Sequence, residues 1–234
     1  MTNAPVRLYC ALVVRKALED TVLPSFRGSH PEIAVEEIFD PTTVLRERIE
    51  AGERPDVLVA VTGALAPILA TGAVAEETQE PFVRSAIGVA VAEGAPRPDI
   101  STTEALVATL SGARSVAYSR AGASGIYFVE LLDQLGIADL VNSRATVLPK
   151  GFTAEAVVDG RADLAVQQLS ELSFVKGVDV VAPLPDEVQQ YTDFTIALGA
   201  DAAHRPEART LATFLRGEIA SQAYAADGLT MIAS

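Results

Sequence analysis

The sequence predicts an α/β protein built as two βαβ lobes joined by two crossing strands. Three observations carry that prediction. Short apolar strands alternate with amphipathic helices through the first half, the pattern of βαβ units and a parallel sheet. Two long apolar runs, Ser85-Ala-Ile-Gly-Val-Ala-Val-Ala92 and Tyr191-Thr-Asp-Phe-Thr-Ile-Ala-Leu198, bracket the middle third of the chain. Between them, Tyr118-Ser-Arg-Ala-Gly-Ala-Ser-Gly-Ile-Tyr127 reads as a strand end, a small-residue turn and a helix start. The lobes are placed at residues 1–84 plus 195–234 and at 85–194. A ligand is expected in the cleft where strand-end loops of both lobes face each other. The competing architecture is one continuous open sheet with no cleft.

In order, Val6–Cys10 reads as a strand and Val14–Phe26 as a helix. Ile33–Ile38 alternates as a strand, and Thr42–Ala51 is a helix stopped by Gly52. Asp56–Val61 is a buried strand, followed by a short helix at Leu65–Ala70. After the first long run and the proline-rich Ala95-Pro-Arg-Pro98, a helix with a Ser/Thr start is expected at Thr102–Leu110. Strand Ala113–Tyr118 leads through the small-residue turn to helix Ile126–Leu135, whose apolar residues recur at helical spacing. Strands follow at Ala145–Leu148, Ala162–Gln167 and Val178–Val181, with helical segments at Thr153–Val158 and Leu169–Leu172. Helices at Ala208–Ala220 and Ser221–Ala226 close the chain.

Composition narrows the function. The chain has 234 residues, 49% of them hydrophobic, enough for a sizeable core. Its net charge of −13 argues against non-specific binding to nucleic acid or anionic membranes. Without Trp and with few aromatics, base-stacking platforms are not expected. The one cysteine, Cys10, makes no internal disulfide and lies in an apolar run, so a buried thiol is expected. No stretch has the length and apolarity of a membrane span. Met1 is followed almost at once by the first strand, with no secretory leader pattern; a cytoplasmic protein is expected, or a periplasmic one if the start is trimmed.

Four helix starts carry the candidate chemistry. Helix N-termini leave main-chain N–H groups unpaired and favour negative charge. The first start bears Arg15 and Lys16, which either meet an anion or point to solvent. At the second, Thr42 or Thr43 caps the helix or contacts an anion. The third, Ser119 to Ser124, adds hydroxyls, close-approach glycines and the fork of Arg120, suited to a carboxylate. An ordinary turn chosen for its geometry is the other reading of that segment. The fourth is Lys150-Gly-Phe-Thr153, and Gln167 with Gln168 ends the next strand. His30 lies beside Pro31 and His204 two residues before Pro206, without metal-ligand spacing, so no metal and no cofactor is expected. Neither a phosphate-binding loop nor a nucleophile elbow occurs.

Several phrases resemble the periplasmic molybdate-binding proteins and their type II solute-binding relatives. They are Ala17-Leu-Glu-Asp20, Arg48-Ile-Glu-Ala-Gly52, Pro55-Asp-Val-Leu-Val59, Ala123-Ser-Gly-Ile-Tyr127 and Lys176-Gly-Val-Asp-Val-Val181. The similarity runs through nearly the whole chain and implies the type II periplasmic-binding-protein fold. In that family two serines, one after strand one and one at the second helix start, hold a tetrahedral oxyanion. Main-chain N–H groups of the second lobe join them, and a tyrosine after a late strand completes the site. The resemblance puts Val13 at the first serine position and Thr42 or Thr43 near the second. Ser124 and Phe152 would supply main-chain groups, and Gln168 stands for the tyrosine. Val13 has no hydrogen bond to give, whereas Arg15, Lys16, Arg120 and Lys150 add charge. Guanidinium forks grip carboxylates in bidentate fashion. A small di- or tricarboxylate is therefore expected ahead of molybdate or another oxyanion, with a transporter or a regulatory protein as candidate partner. Bacterial aconitate isomerases are similar to the same family, which implies an alternative: a cytoplasmic isomerase moving a proton within an unsaturated polycarboxylate. Lys150, Tyr118 and Tyr191 are then the candidate proton carriers.

Overall fold

The computed structural model describes residues 4–233. It divides into two compact units, Met1–Arg84 with Asp193–Ser234, and Ser85–Thr192. Strands β1 (Val6–Cys10), β2 (Val35–Phe39), β3 (Val57–Val61) and β4 (Glu80–Ser85) build the first sheet. Strands β5 (Ile87–Ala92), β6 (Val116–Ser119), β7 (Thr146–Leu148), β8 (Leu164–Gln168) and β9 (Val178–Pro183) build the second. The chain then returns to the first sheet with β10 (Thr192–Leu198) and β11 (Thr230–Met231). The strand orders are β11-β4-β10-β3-β1-β2 and β7-β6-β8-β5-β9.

Each sheet is mixed. In the first, β1 runs parallel to β2 and β3, while β10 is antiparallel to β3. In the second, β6 runs parallel to β7 and β8, while β5 is antiparallel to β8 and β9. Within each unit, the parallel strands therefore bring their carboxyl ends to one edge. The alternation of side chains explains how helices cover both faces. In β1 and β3, Val6, Leu8, Cys10, Val57 and Val59 face one cluster, whereas Tyr9, Leu58 and Ala60 face another. The second sheet sorts by size. Ile87, Val89, Val116, Tyr118, Leu164 and Val166 pack on one face, and Ala90, Ala117 and Ala165 on the other.

The structure corrects several expected elements. The run 85–92 is not a single strand: β4 begins at Glu80 and breaks at Ala86, where the chain changes sheet. Pro81 is the second residue of β4, outside the Val83–Arg84 stretch that pairs with β11. The first helix runs from Leu12 to Ser29, past the expected end at Phe26. It widens into a π turn at Leu18–Val22 just before Pro24, which has no N–H to give the preceding turn. The closing helices are Pro206–Leu215 and Glu218–Ala226; the break falls at Arg216-Gly217, with Gly217 as the second helix's N-cap. A short helix at Ala138–Asn142 and strand β11 were not expected, being too short to show a period. The Thr102 cap is present: its hydroxyl accepts the Ala105 N–H at 3.2 Å. Cys10 is fully buried, and burial pushes its thiol far up.

Candidate functional site

In the first unit the expected residues are engaged locally. Val13 is 1% exposed and packs into the apolar core, so its side chain offers a ligand nothing. Arg15 donates to Glu19 at 2.8 Å and lies 5.3 Å from the Phe39 ring centroid, in a groove of about 410 Å³ shared with Arg27 and Glu37. Lys16 reaches the nearly buried Asp227 at 2.5 Å. Both charges are thus answered by carboxylates of the same unit, which neither the anion nor the solvent reading anticipated. The capping expectation for Thr42 is corrected. Pro41 is the N-cap, and Thr42 is the first helical residue; its hydroxyl accepts the Val61 N–H at 3.0 Å, tying the helix to β3. Thr43 lies half-buried beside it.

In the second unit, the carboxyl ends of β7, β6 and β8 gather the remaining candidates. β6 ends at Ser119, 1% exposed, and the helix Ala123–Gln134 opens from Gly122 with no side-chain cap. Its first N–H groups, at Ala123 and Ser124, precede the intrahelical ladder, which leaves them to a ligand or solvent. The Ser119 and Ser124 hydroxyls come together here: a side chain built on Gly122 would begin 3.6 and 3.9 Å from them. Arg120 is pinned through its main chain, which donates to Leu148 at 2.8 Å, while its side chain is exposed.

Tyr118 points the other way. Its ring packs edge-on against Phe128, and its hydroxyl donates to Asn142 at 2.8 Å. Burial pushes that hydroxyl up, with Arg120 pulling it partly back. Tyr191 is 54% exposed.

The loop after β7 is held by Gln167. The Gln167 carboxamide oxygen accepts from the Thr153 N–H at 2.8 Å and the Thr153 hydroxyl at 3.0 Å; its amide donates to the Gly151 carbonyl at 2.9 Å. Gly151 adopts φ 97°, where a side chain would be strained. Phe152 stacks on Phe174 at 4.4 Å, and exposed Lys150 starts the same loop.

Gln168 ends β8 and is 2% exposed; it donates to the Thr192 hydroxyl at 2.8 Å. The next residues were missed by sequence reasoning. Glu171 is the third residue of the helix Leu169–Leu172 that Gln168 caps, and its carboxyl takes hydrogen bonds from the Gln167 side chain and the Gln168 N–H. That is half of a capping box, and an acid three residues after a strand end is its sequence signal. Burial outweighs those bonds and pushes the Glu171 carboxyl up to about 8. Among the described residues, the buried oxygens Ser119 Oγ, Gln168 Oε1 and Ser170 Oγ have no hydrogen-bond partner.

A profile of the bacterial extracellular solute-binding proteins matches residues 6–230. The chain belongs to that family. Among the relatives of this solute-binding family member is an aconitate isomerase from Pseudomonas sp., 35% identical over 191 residues, which span 81% of this chain and 72% of that one. The fold of this chain is that of the Azotobacter vinelandii periplasmic molybdate-binding protein, with a TM-score of 0.77 at 15% identity, covering 98% of this chain and 99% of that one. The sulfate-binding protein SubI from Mycobacterium tuberculosis H37Rv is also similar: TM-score 0.77, 18% identity, 98% and 88% coverage. Among the described residues of the solute-binding chain, no three His, Cys, Asp or Glu side chains gather as metal ligands, and no helix is long and apolar enough to cross a membrane.

Proposed function

We propose that the chain binds a small di- or tricarboxylate at the carboxyl edge of β7, β6 and β8. The carrying observation is the set of three buried oxygens without a protein partner, Ser119 Oγ, Gln168 Oε1 and Ser170 Oγ. Buried polar atoms are almost always paired, and leaving one unpaired costs about 1–3 kcal/mol. Carboxylate oxygens at this edge accept from the two serine hydroxyls, and a proton-bearing group of the same ligand donates to Gln168 Oε1. The N–H groups opening Ala123–Gln134 favour an anion there. Arg120 offers a planar fork and Lys150 a second charge, so an anion with several separated carboxylates uses both better than a compact tetrahedral oxyanion. Family membership supports solute capture and makes a transporter a candidate partner.

Ligand binding to the folded state raises the melting temperature. Citrate, tricarballylate or aconitate is expected to do so for the parent protein, more than sulfate or molybdate. Replacing Arg120→Ala is expected to weaken the best ligand about tenfold or more, since a charge-assisted bond is worth about 1.5–3 kcal/mol. A melt unmoved by every one of these anions defeats the proposal.

A second reading is favoured by the 35% identical aconitate isomerase relative. On that reading a C–H bond of a bound unsaturated polycarboxylate breaks. Its electron pair shifts the double bond by one position, and a proton returns to the far carbon. Arg120 and Lys150 would stabilise the charge delocalised into the carboxylates. Lys150 and Tyr191 are candidate proton carriers; the Tyr118 hydroxyl is already committed to Asn142. Proton NMR of cis- and trans-aconitate in D2O with catalytic protein is expected to show interconversion with deuterium incorporation. Unchanged spectra at high protein concentration exclude the isomerase.

A further inference from the structure

We infer that Gln168 fixes the chemistry of the ligand by presenting an acceptor: whatever occupies this edge must bring a proton to give, as a hydroxyl or as a carboxyl kept in its acid form. The inference rests on the polycarboxylate reading above and narrows it.

Gln168 is held from all sides. Its main chain pairs with Ile87 on β5, and its N–H is taken by the Glu171 carboxyl. Its amide nitrogen donates to the hydroxyl of Thr192, itself 7% exposed at the start of β10. With the nitrogen engaged, Oε1 is what remains, and it is buried with no donor among the described residues. The other groups at this edge behave differently. The helix N–H groups and Arg120 can only donate, and the Ser119 and Ser170 hydroxyls can donate or accept. An anion satisfies all of those. It does not satisfy Oε1, whose lone pairs face any oxygen without a proton. A fully ionised sulfate or molybdate has none, so this carboxamide disfavours both, whereas a hydroxylated polycarboxylate pairs with every group. A polycarboxylate without a hydroxyl pairs only if one carboxyl keeps or takes up a proton. Sites built to hydrogen-bond a substrate hydroxyl reject analogues lacking it strongly.

Isothermal titration at pH 7.5 with citrate and with tricarballylate, which differ by one hydroxyl, tests this in buffers of different ionisation enthalpy. The parent protein is expected to bind citrate at least about tenfold more tightly, or to take up close to one proton on binding tricarballylate. Gln168→Met keeps the length of the side chain and removes the acceptor. It is expected to bring the affinity ratio near one and to abolish the proton uptake. Glu171 touches the Gln168 main chain and is common to both proteins, so the difference between them isolates the carboxamide. A merely structural role would weaken both ligands equally and leave their ratio unchanged. Should the parent bind the two acids equally without taking up a proton, should Gln168→Met keep the ratio and the uptake, or should sulfate or molybdate bind most tightly, Gln168 does not act as an obligate acceptor. If polycarboxylates bind under those outcomes, the broader proposal survives and only this one falls. If no polycarboxylate binds, both fall.

Discussion

Replacing Gly125→Val is expected to destabilise the protein by about 3 kcal/mol or more and to abolish ligand binding at the same time. Gly125 lies in the first turn of the helix Ala123–Gln134, pressed on the end of β6. A Cβ built there would sit 1.7 Å from the Ser119 carbonyl oxygen and 2.7 Å from its carbon. Both atoms are backbone, so no rotamer change relieves the clash. The helix must lift away from the strand or the strand must bend. Overpacking a fitted interior commonly costs about 1–3 kcal/mol, and a clash against main chain belongs at or beyond the top of that range. In a protein of this size about 3 kcal/mol lowers the melting temperature by roughly 6–12 °C. The same displacement separates the Ser119 and Ser124 hydroxyls and moves the helix N–H groups, so the anion response should vanish with the stability. A Gly125→Val protein that melts within about 2 °C of its parent, and still responds to polycarboxylates, shows that the contact between helix and strand is not as close as described.

Stability is also expected to fall as pH rises from about 5 to about 9, with Glu171 responsible for much of the slope. In the folded chain burial holds this carboxyl up to about 8, against an ordinary 4.5. The folded state therefore binds the Glu171 proton more tightly than the unfolded state. The resulting stabilisation is complete below about 4.5 and is lost progressively until the pH passes about 8. At about 1.4 kcal/mol for each pH unit across that interval, the loss amounts to a few kcal/mol. Glu171→Gln keeps an acceptor for the Gln168 N–H and removes the ionisation. Its urea midpoint should hardly change over this window while the parent's declines, so the two proteins should diverge most above pH 8. Parallel curves for parent and variant would mean that Glu171 ionises without penalty and is not buried as described.

The segment around Ser119–Ser124 was legible in the sequence because everything it needs is local: a strand end, small residues and a helix period, all within ten positions. The parallel-strand frame was legible for the same reason. What escaped depends on partners far away along the chain. Nothing near Lys16 announces Asp227, and nothing near Thr42 announces the N–H of Val61 that occupies its hydroxyl. The reading of Lys16 accordingly stood between an anion and solvent and did not reach its ion pair with Asp227. The break at Ala86 was hidden because apolarity shows that a strand is buried without showing in which sheet. At Gln168 the residue type was visible as polar and placed at a strand end. The meaning of its carboxamide was not, because that depends on Thr192 and on what Oε1 lacks.

The route of the chain between its sheets has a consequence for biosynthesis. Arg84 and Asp193, the last residue before the middle segment and the first after it, are joined by a two-pronged ion pair at 2.6 and 2.8 Å. Everything between them is one uninterrupted stretch with its own sheet and core, so it can collapse as soon as it leaves the ribosome. The first sheet cannot, because β10 inserts between β3 and β4 and is translated near the end. The amino-terminal segment, though made first, must wait with an open gap in its sheet while the later segment matures. Ribosome-bound chains halted when Thr192 has just cleared the exit tunnel should accordingly hold a protease-resistant middle and a cleavable beginning.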